Sequence, residues 1–145
     1  MNDAAMNDAA MSDAAARLRE LIVHYDRVLM AQEEIVTPER VELARMTESA
    51  GRLLFEHQGW DQAHPVARTL VAADAFVADP TDDTYSDYVR AATMSYPFGA
   101  GDGCFRLPEF EGCEPGSGCT TGAGSLWSIA ATIGFEETLA AVRED

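Results

Sequence analysis

The chain has 145 residues, of which 47% are apolar, and this length suits one domain with a sizeable core. Its 25 carboxylates outnumber ten basic residues, which are all arginine, so the net charge is −15. This charge repels nucleic-acid phosphates and anionic membranes, so we expect neither as a partner. It favours a basic protein partner, although surface carboxylates also serve simply to keep a protein soluble. The oligomeric state stays open.

Nothing in the sequence resembles a membrane span or a secretory leader. No apolar run approaches the roughly 18 residues that a bilayer-spanning helix requires. The N-terminus is acidic and lacks the basic and apolar regions of a signal peptide. The sequence therefore predicts a cytoplasmic protein whose thiols stay reduced.

The first fifteen residues are three near-copies of one pentapeptide, MNDAA, MNDAA and MSDAA. A period of five matches neither the helix nor the strand period, so the repeat forms no continuous apolar stripe. We expect residues 1–13 to be a dispensable tail, with a frayed helical extension as the alternative. Residues 14–145 are then a single helical domain.

Two long amphipathic helices are predicted first. The stripe of the first helix, which ends near Ile35, contains Leu18, Leu21, Ile22, Tyr25, Val28 and Leu29. Thr37 and Pro38 then supply an N-cap and a first helical residue, and Gly59 supplies a stop. The stripe of the second helix is predicted as Leu43, Met46, Ala50, Leu53 and His57. The short link between the two helices predicts an antiparallel αα-hairpin.

Further helices follow in chain order. Pro65 opens a third helix that ends at Asp79-Pro80, because the residue before proline is disfavoured in helices. A fourth is predicted near 82–95, and two short ones, 126–133 and 135–142, are separated by Gly134. The predicted inward residues are Val66, Leu70, Ala73 and Val77 on the third helix and Tyr85, Tyr88, Val89 and Ala92 on the fourth. The predicted fold class is all-α: a four-helix bundle-like domain built on the αα-hairpin, with short C-terminal helices.

Residues 95–124 interrupt this helical pattern with a loop rich in glycine and cysteine. They hold all three cysteines, eight of the eleven glycines and three of the six prolines. A solvated linker would not carry so many apolar side chains. These are Tyr96, Phe98, Phe105, Leu107 and Phe110. We therefore expect an ordered loop that packs on the helical body.

The loop cysteines are Cys104, Cys113 and Cys119, and their chemistry is open. Their C-x8-C-x5-C spacing lacks the tight pairs of most zinc fingers, but a zinc site with a histidine as fourth ligand is one hypothesis. The candidate histidines are His24, His57 and His64. A disulfide with one thiol left over, or three free thiols, are the alternatives.

Catalytic and phosphate-binding interpretations of the loop are weaker. A nucleophilic Cys104 would sit beside Asp102, whose carboxylate raises a thiol pKa rather than lowering it. The Gly-rich runs lack the lysine of a phosphate loop, although Ser125 could cap a helix starting at Leu126. The helices also lack the paired Glu-x-x-His units of a di-metal bundle. We do not expect an enzyme.

The sequence thus predicts a small acidic protein that binds a protein partner, as an inhibitor, immunity protein or adaptor does. The loop and the carboxylate surface are the expected contact regions. Within the loop, the expected partner-binding residues are Phe98, Asp102, Arg106, Glu109 and Glu111. The alternative function is a small metalloprotein or thiol protein that uses Cys104, Cys113 and Cys119.

Overall fold

The structure is a computed structural model that describes residues 2–34, 36–94 and 123–143. These residues form six helices and no strand, which confirms the all-α prediction for the described part of the chain. The helices are α1 (Asn2–Ala31), α2 (Pro38–Gln58), α3 (Pro65–Ala78), α4 (Asp82–Met94), α5 (Ala123–Ile133) and α6 (Phe135–Arg143). None of them is both long and apolar enough to cross a membrane.

The helix ends follow local signals in the sequence. Thr37 caps α2, because its hydroxyl oxygen accepts a hydrogen bond from the Arg40 backbone N–H at 3.2 Å. Gly59 ends α2 in the left-handed region, at φ 70°, where a residue with a Cβ is strained. Gly134 has φ 117° and separates α5 from α6. The helix boundaries at Thr37, Gly59 and Gly134 were predicted correctly.

The helices α1 and α5 begin earlier than predicted. The helix α1 starts at Asn2 and therefore includes the pentapeptide repeat, as in the alternative interpretation of residues 1–13. It ends at Ala31 rather than near Ile35. The helix α5 begins at Ala123, so Ser125 is a buried helical residue and not the cap of a helix starting at Leu126. The other residues of the predicted loop, 95–122, lie outside the described part of the chain.

The helix α2 lies at the centre of the fold, with α3 on one side and α5 and α6 on the other. The helix α1 packs mainly on α5 and α6 and less on α2, so the predicted α1–α2 hairpin is not confirmed as the main packing unit. The larger of two apolar clusters is built from α1, α2, α5 and α6. The smaller is built mainly from α3 and α4, with Ala44 of α2. The peripheral α3–α4 pair is thus joined to the body chiefly through α2.

The buried faces differ from the predicted stripes at particular residues. Near the end of α2, Leu54 is fully buried in place of the predicted Leu53, which is half-buried, and His57 is exposed. On α3 the sequence analysis omitted Phe76, which is completely buried. On α1 the buried face includes Asp26, an acidic residue within an otherwise apolar stripe. Because neighbours contact α2 from two sides, its buried face is wider than the single stripe that was predicted.

Candidate partner-binding surface

The α3–α4 pair is held together by an aromatic cluster. Phe76 of α3 lies 5.3 Å from Tyr85 and 6.2 Å from Tyr88 of α4, measured between ring centroids. The two tyrosine rings are themselves 6.4 Å apart in an edge-to-face arrangement. Such contacts add roughly 0.5–1.5 kcal/mol per pair beyond the burial of the rings. The cluster fixes the relative position of the two helices.

The turn between α3 and α4 is stabilised by two threonines that cap each other. The Thr84 backbone N–H donates to the Thr81 hydroxyl oxygen at 3.1 Å, and the Thr81 N–H donates to the Thr84 hydroxyl oxygen at 2.9 Å. This is the reciprocal geometry of a capping box, with Thr84 in the position usually held by glutamate. The Thr84 hydroxyl also donates to the Asp79 carbonyl at 2.7 Å, which ties the end of α3 to the start of α4.

Arg40 attaches this pair of helices to the first two. Its guanidinium donates to the Tyr85 hydroxyl at 3.2 Å and lies 5.5 Å from the centroid of the Tyr85 ring. It also approaches the Leu29 carbonyl, in the last turn of α1, at 3.5 Å. The negative end of the α1 dipole and the aromatic ring both favour a cation here. One arginine therefore joins α1, α2 and α4.

Five exposed aspartates surround the turn, and we call them the acidic end. They are Asp74, Asp79, Asp82, Asp83 and Asp87. No arginine or lysine occurs between Asp74 and Asp87 in the sequence. Of these five aspartates, only Asp87 forms an ion pair within the described part of the chain. Its partner is Arg90, at 4.0 Å, and both side chains are largely exposed. Exposed pairs of this kind neutralise little charge.

The other helices carry carboxylates that are partly compensated. Glu42 and Glu48 pair with Arg45 and Arg52 at 2.6 and 2.7 Å. The Arg45 hydrogen bond lowers the pKa of Glu42, so that carboxylate is held in its charged form. The carboxylates of the acidic end therefore have fewer ion pairs than Glu42 and Glu48 of α2 do.

Two surface grooves lined by described residues do not bring together a convergent set of catalytic or metal-binding groups. A groove of about 520 Å³ between α2 and α6 includes Arg52, Glu56 and Glu137 in its lining. Another, of about 440 Å³, lies between α1, α2 and α6 and is lined by charges of both signs. Within the described residues no group of three histidine, cysteine or acidic side chains could hold a metal ion.

All the site residues predicted from the sequence lie outside the described part of the chain. They are Phe98, Cys104, Asp102, Arg106, Glu109, Glu111, Cys113 and Cys119, and their predicted roles stay predictions. The acidic end was not singled out in the sequence analysis. The sequence does show this concentration of acidic residues, because residues 74–87 hold five aspartates and no basic residue.

The three histidines considered as a fourth zinc ligand lie on different parts of the fold. His24 and His57 are exposed on α1 and α2. His64 caps α3, because its Nδ1 accepts a hydrogen bond from the Val66 N–H at 3.2 Å. Its ring also stacks on Trp60 at 3.8 Å between centroids. His64 thus has a complete structural role at the start of α3.

Comparison with protein-family models, with curated proteins and with solved structures gives no match for this chain.

Proposed function

We propose that the protein binds a basic protein partner without catalysing a reaction, and that the acidic end is a contact surface for that partner. The observation that carries the proposal is the set of five exposed aspartates between Asp74 and Asp87, three of them at the α3–α4 turn, with no basic residue in the same segment. A predominantly acidic surface of this kind attracts an oppositely charged partner over long range and orients it before contact. The capped turn and aromatic cluster beneath it supply a rigid support.

Helix stability accounts for only some of these aspartates. Asp82 and Asp83 lie in the first turn of α4, where the positive end of the helix dipole favours carboxylates. Asp79 is the C-cap of α3, next to the negative end of that helix, where a carboxylate is unfavourable. Asp79 also lies close to the start of α4, because its carbonyl accepts the Thr84 hydrogen bond, so the two helix dipoles act on it in opposite directions and helix stability does not account for its charge.

This difference allows binding to be tested without damaging the fold. The test variant replaces Asp74, Asp79 and Asp87 by Asn and keeps the two aspartates that stabilise α4. Its melting temperature should stay close to that of the unchanged protein, since the opposing helix dipoles at Asp79 largely cancel and the Asp87–Arg90 pair that it removes is exposed. The measurement is affinity capture from the native host, with quantitative comparison of the captured proteins.

A matched control removes three charges elsewhere. Glu20, Glu56 and Glu137 are exposed and line grooves between α1, α2 and α6, so replacing them by Gln changes the net charge equally outside the α3–α4 pair. We expect the unchanged protein and the control to capture the same basic protein, and the acidic-end variant to lose it. Capture should also weaken between about 0.05 and 0.5 M salt, because screening shortens the range of exposed charges. Capture that survives in the acidic-end variant would refute the proposal, and equal loss in both variants would show that net charge alone matters.

The predicted contribution of residues 95–124 is an independent part of the proposal. Replacing Glu109 and Glu111 by Gln and Phe98 by Ala in the unchanged background tests it with the same captured protein. A loss of capture supports a second contact region, and unchanged capture restricts the interface to the helical body.

A further inference from the structure

The helix α1 carries a ridge of side chains on the side that faces away from the core. Its members recur at the spacing of one helix face, and they are Ala16, Glu20, Val23, Arg27 and Ala31. All are exposed except Val23, which is half-buried. A surface groove of about 430 Å³ follows the ridge, and every described residue that lines it belongs to α1. The described helices therefore leave this face of α1 uncovered, and we call it the α1 ridge.

The order of chemical types along the α1 ridge suits a second copy of the same helix. From Ala16 to Ala31 the ridge runs small, acidic, apolar, basic and small. In a contact with two-fold symmetry, residue i of one copy meets residue j of the other, and j meets i. When two α1 helices lie antiparallel with the axis next to Val23, Glu20 of each copy lies opposite Arg27 of the other. Packed helices are about 8–10 Å apart, which these long side chains can span.

Glu20 and Arg27 are available for such contacts. Neither forms an ion pair with another described residue. Within one helix they are separated by roughly 10 Å along the axis, so they do not pair with each other. Both side chains are exposed in the groove. A second copy would therefore supply a partner for each of them.

The local charge also permits two acidic molecules to approach each other at this face. Residues 16–31 hold three arginines, one glutamate and one aspartate, so their net charge is +1 in a chain of −15. Two copies that met through the acidic end would instead bring five aspartates of each copy together. Electrostatic repulsion between copies is therefore much weaker at the α1 ridge than at the acidic end.

We propose that the α1 ridge is the contact surface of a homodimer, in which two α1 helices pack antiparallel and Glu20 of each copy pairs with Arg27 of the other. The charges set the register, as they do between the helices of coiled coils, and the alanines allow the helices to approach closely. The proposal is independent of the proposed function, because the acidic end lies on α3, α4 and the turn between them. Each copy carries its own acidic end, so the Glu20 change in the capture control leaves that test valid.

Charge reversal tests the register, with sedimentation velocity over a range of protein concentrations as the measurement. Glu20→Arg places arginine opposite arginine at both contacts, and Arg27→Glu places glutamate opposite glutamate. The dimer dissociation constant of each single variant should rise at least about tenfold. The double variant restores both pairs and should dimerise like the unchanged protein. An equimolar mixture of the two single variants should form a heterodimer, because each contact in it joins arginine to glutamate.

Matched controls reverse one charge at exposed positions elsewhere. They are Glu56→Arg on α2 and Arg68→Glu on α3, and both should keep the dimer. Circular dichroism should show the same helix content in every variant, since all four positions are exposed.

Three results would overturn the proposal. The first is an unchanged protein that is monomeric, which is the result expected if residues 95–122 cover the α1 ridge instead. The second is a single variant that dimerises as well as the unchanged protein, or a mixture of the two single variants that stays monomeric. The third is equal loss of the dimer in the controls, which would show that the contact does not depend on Glu20 and Arg27.

Discussion

The close approach of α2 and α3 at Gly51 permits a quantitative test of the packing. Gly51 is a buried residue within α2, and a Cβ added to it would lie 2.9 Å from the Leu70 Cδ2 atom of α3. Alanine is favoured over glycine inside a helix by about 0.8–1.0 kcal/mol. Overpacking a core costs typically about 1–3 kcal/mol, although here the atom that must move is the end of a flexible side chain. We therefore expect Gly51→Ala to change the free energy of unfolding by less than about 1 kcal/mol.

A double-mutant cycle separates the two effects. Leu70→Val removes both Cδ atoms, so in that background Gly51→Ala should gain its full helix preference of about 1 kcal/mol. The assay is urea denaturation of the four proteins, with equal slopes required before free energies are compared. The difference between the two backgrounds measures the contact with Leu70. If Gly51→Ala has the same effect in both backgrounds, the contact does not limit the approach of α2 and α3, and the reasoning is wrong.

Four further predictions concern stability and the described or predicted packing. Leu54→Ala should cost about 2–5 kcal/mol in chemical denaturation and clearly more than Leu53→Ala, because only Leu54 is fully buried. Thr81→Ala should cost about 0.5–2 kcal/mol, since it removes the cap of α4, and a negligible change would show that the turn does not need the capping box. Burial raises the pKa of Tyr88 above its ordinary value. Stability should therefore fall above about pH 10, where the unfolded chain loses the proton first, and Tyr88→Phe should reduce that dependence. Trypsin should cut slowly at Arg106 if residues 95–124 pack on the body. If the resistance to trypsin is lost only after a chelator is added, the metalloprotein alternative is supported. If it is lost only after a reductant is added, a disulfide is supported.

The helices could be predicted largely because their ends are encoded locally. Local signals for these ends occur at Thr37, Gly59, Pro65 and Gly134. Each acts on the backbone within a few residues, so the helix ends can be predicted without tertiary information. The helical start of α1 was predicted only as the alternative, because the pentapeptide repeat has no helical stripe. Its alanines and methionines favour a helix on propensity alone. Composition was therefore a better guide than periodicity to the secondary structure of the repeat, and whether residues 1–13 are dispensable stays a prediction.

The choice of buried residues could not be made locally. Leu53 and Leu54 are adjacent and equally apolar, and which of them is fully buried depends on where α3, α5 and α6 contact α2. Phe76 was omitted because the chosen stripe on α3 passed through Val77 instead. The spacing of apolar residues identifies the buried face of a helix only to within about one residue. When a helix has neighbours on two sides, an uncertainty of one residue is enough to select the wrong core residue.

The acidic end shows why charge and core can be changed separately in this fold. Phe76, Tyr85 and Tyr88 hold α3 and α4 together from the inside, while the aspartates lie on the outside of the same turn. Only Asp82 and Asp83 have a stabilising interaction with a helix end, so the remaining aspartates can be neutralised without loosening the aromatic cluster. Changes in the aromatic cluster would alter the position of every aspartate at once. A binding defect caused by surface charge should therefore leave the unfolding transition intact, whereas a defect caused by packing should lower both stability and binding.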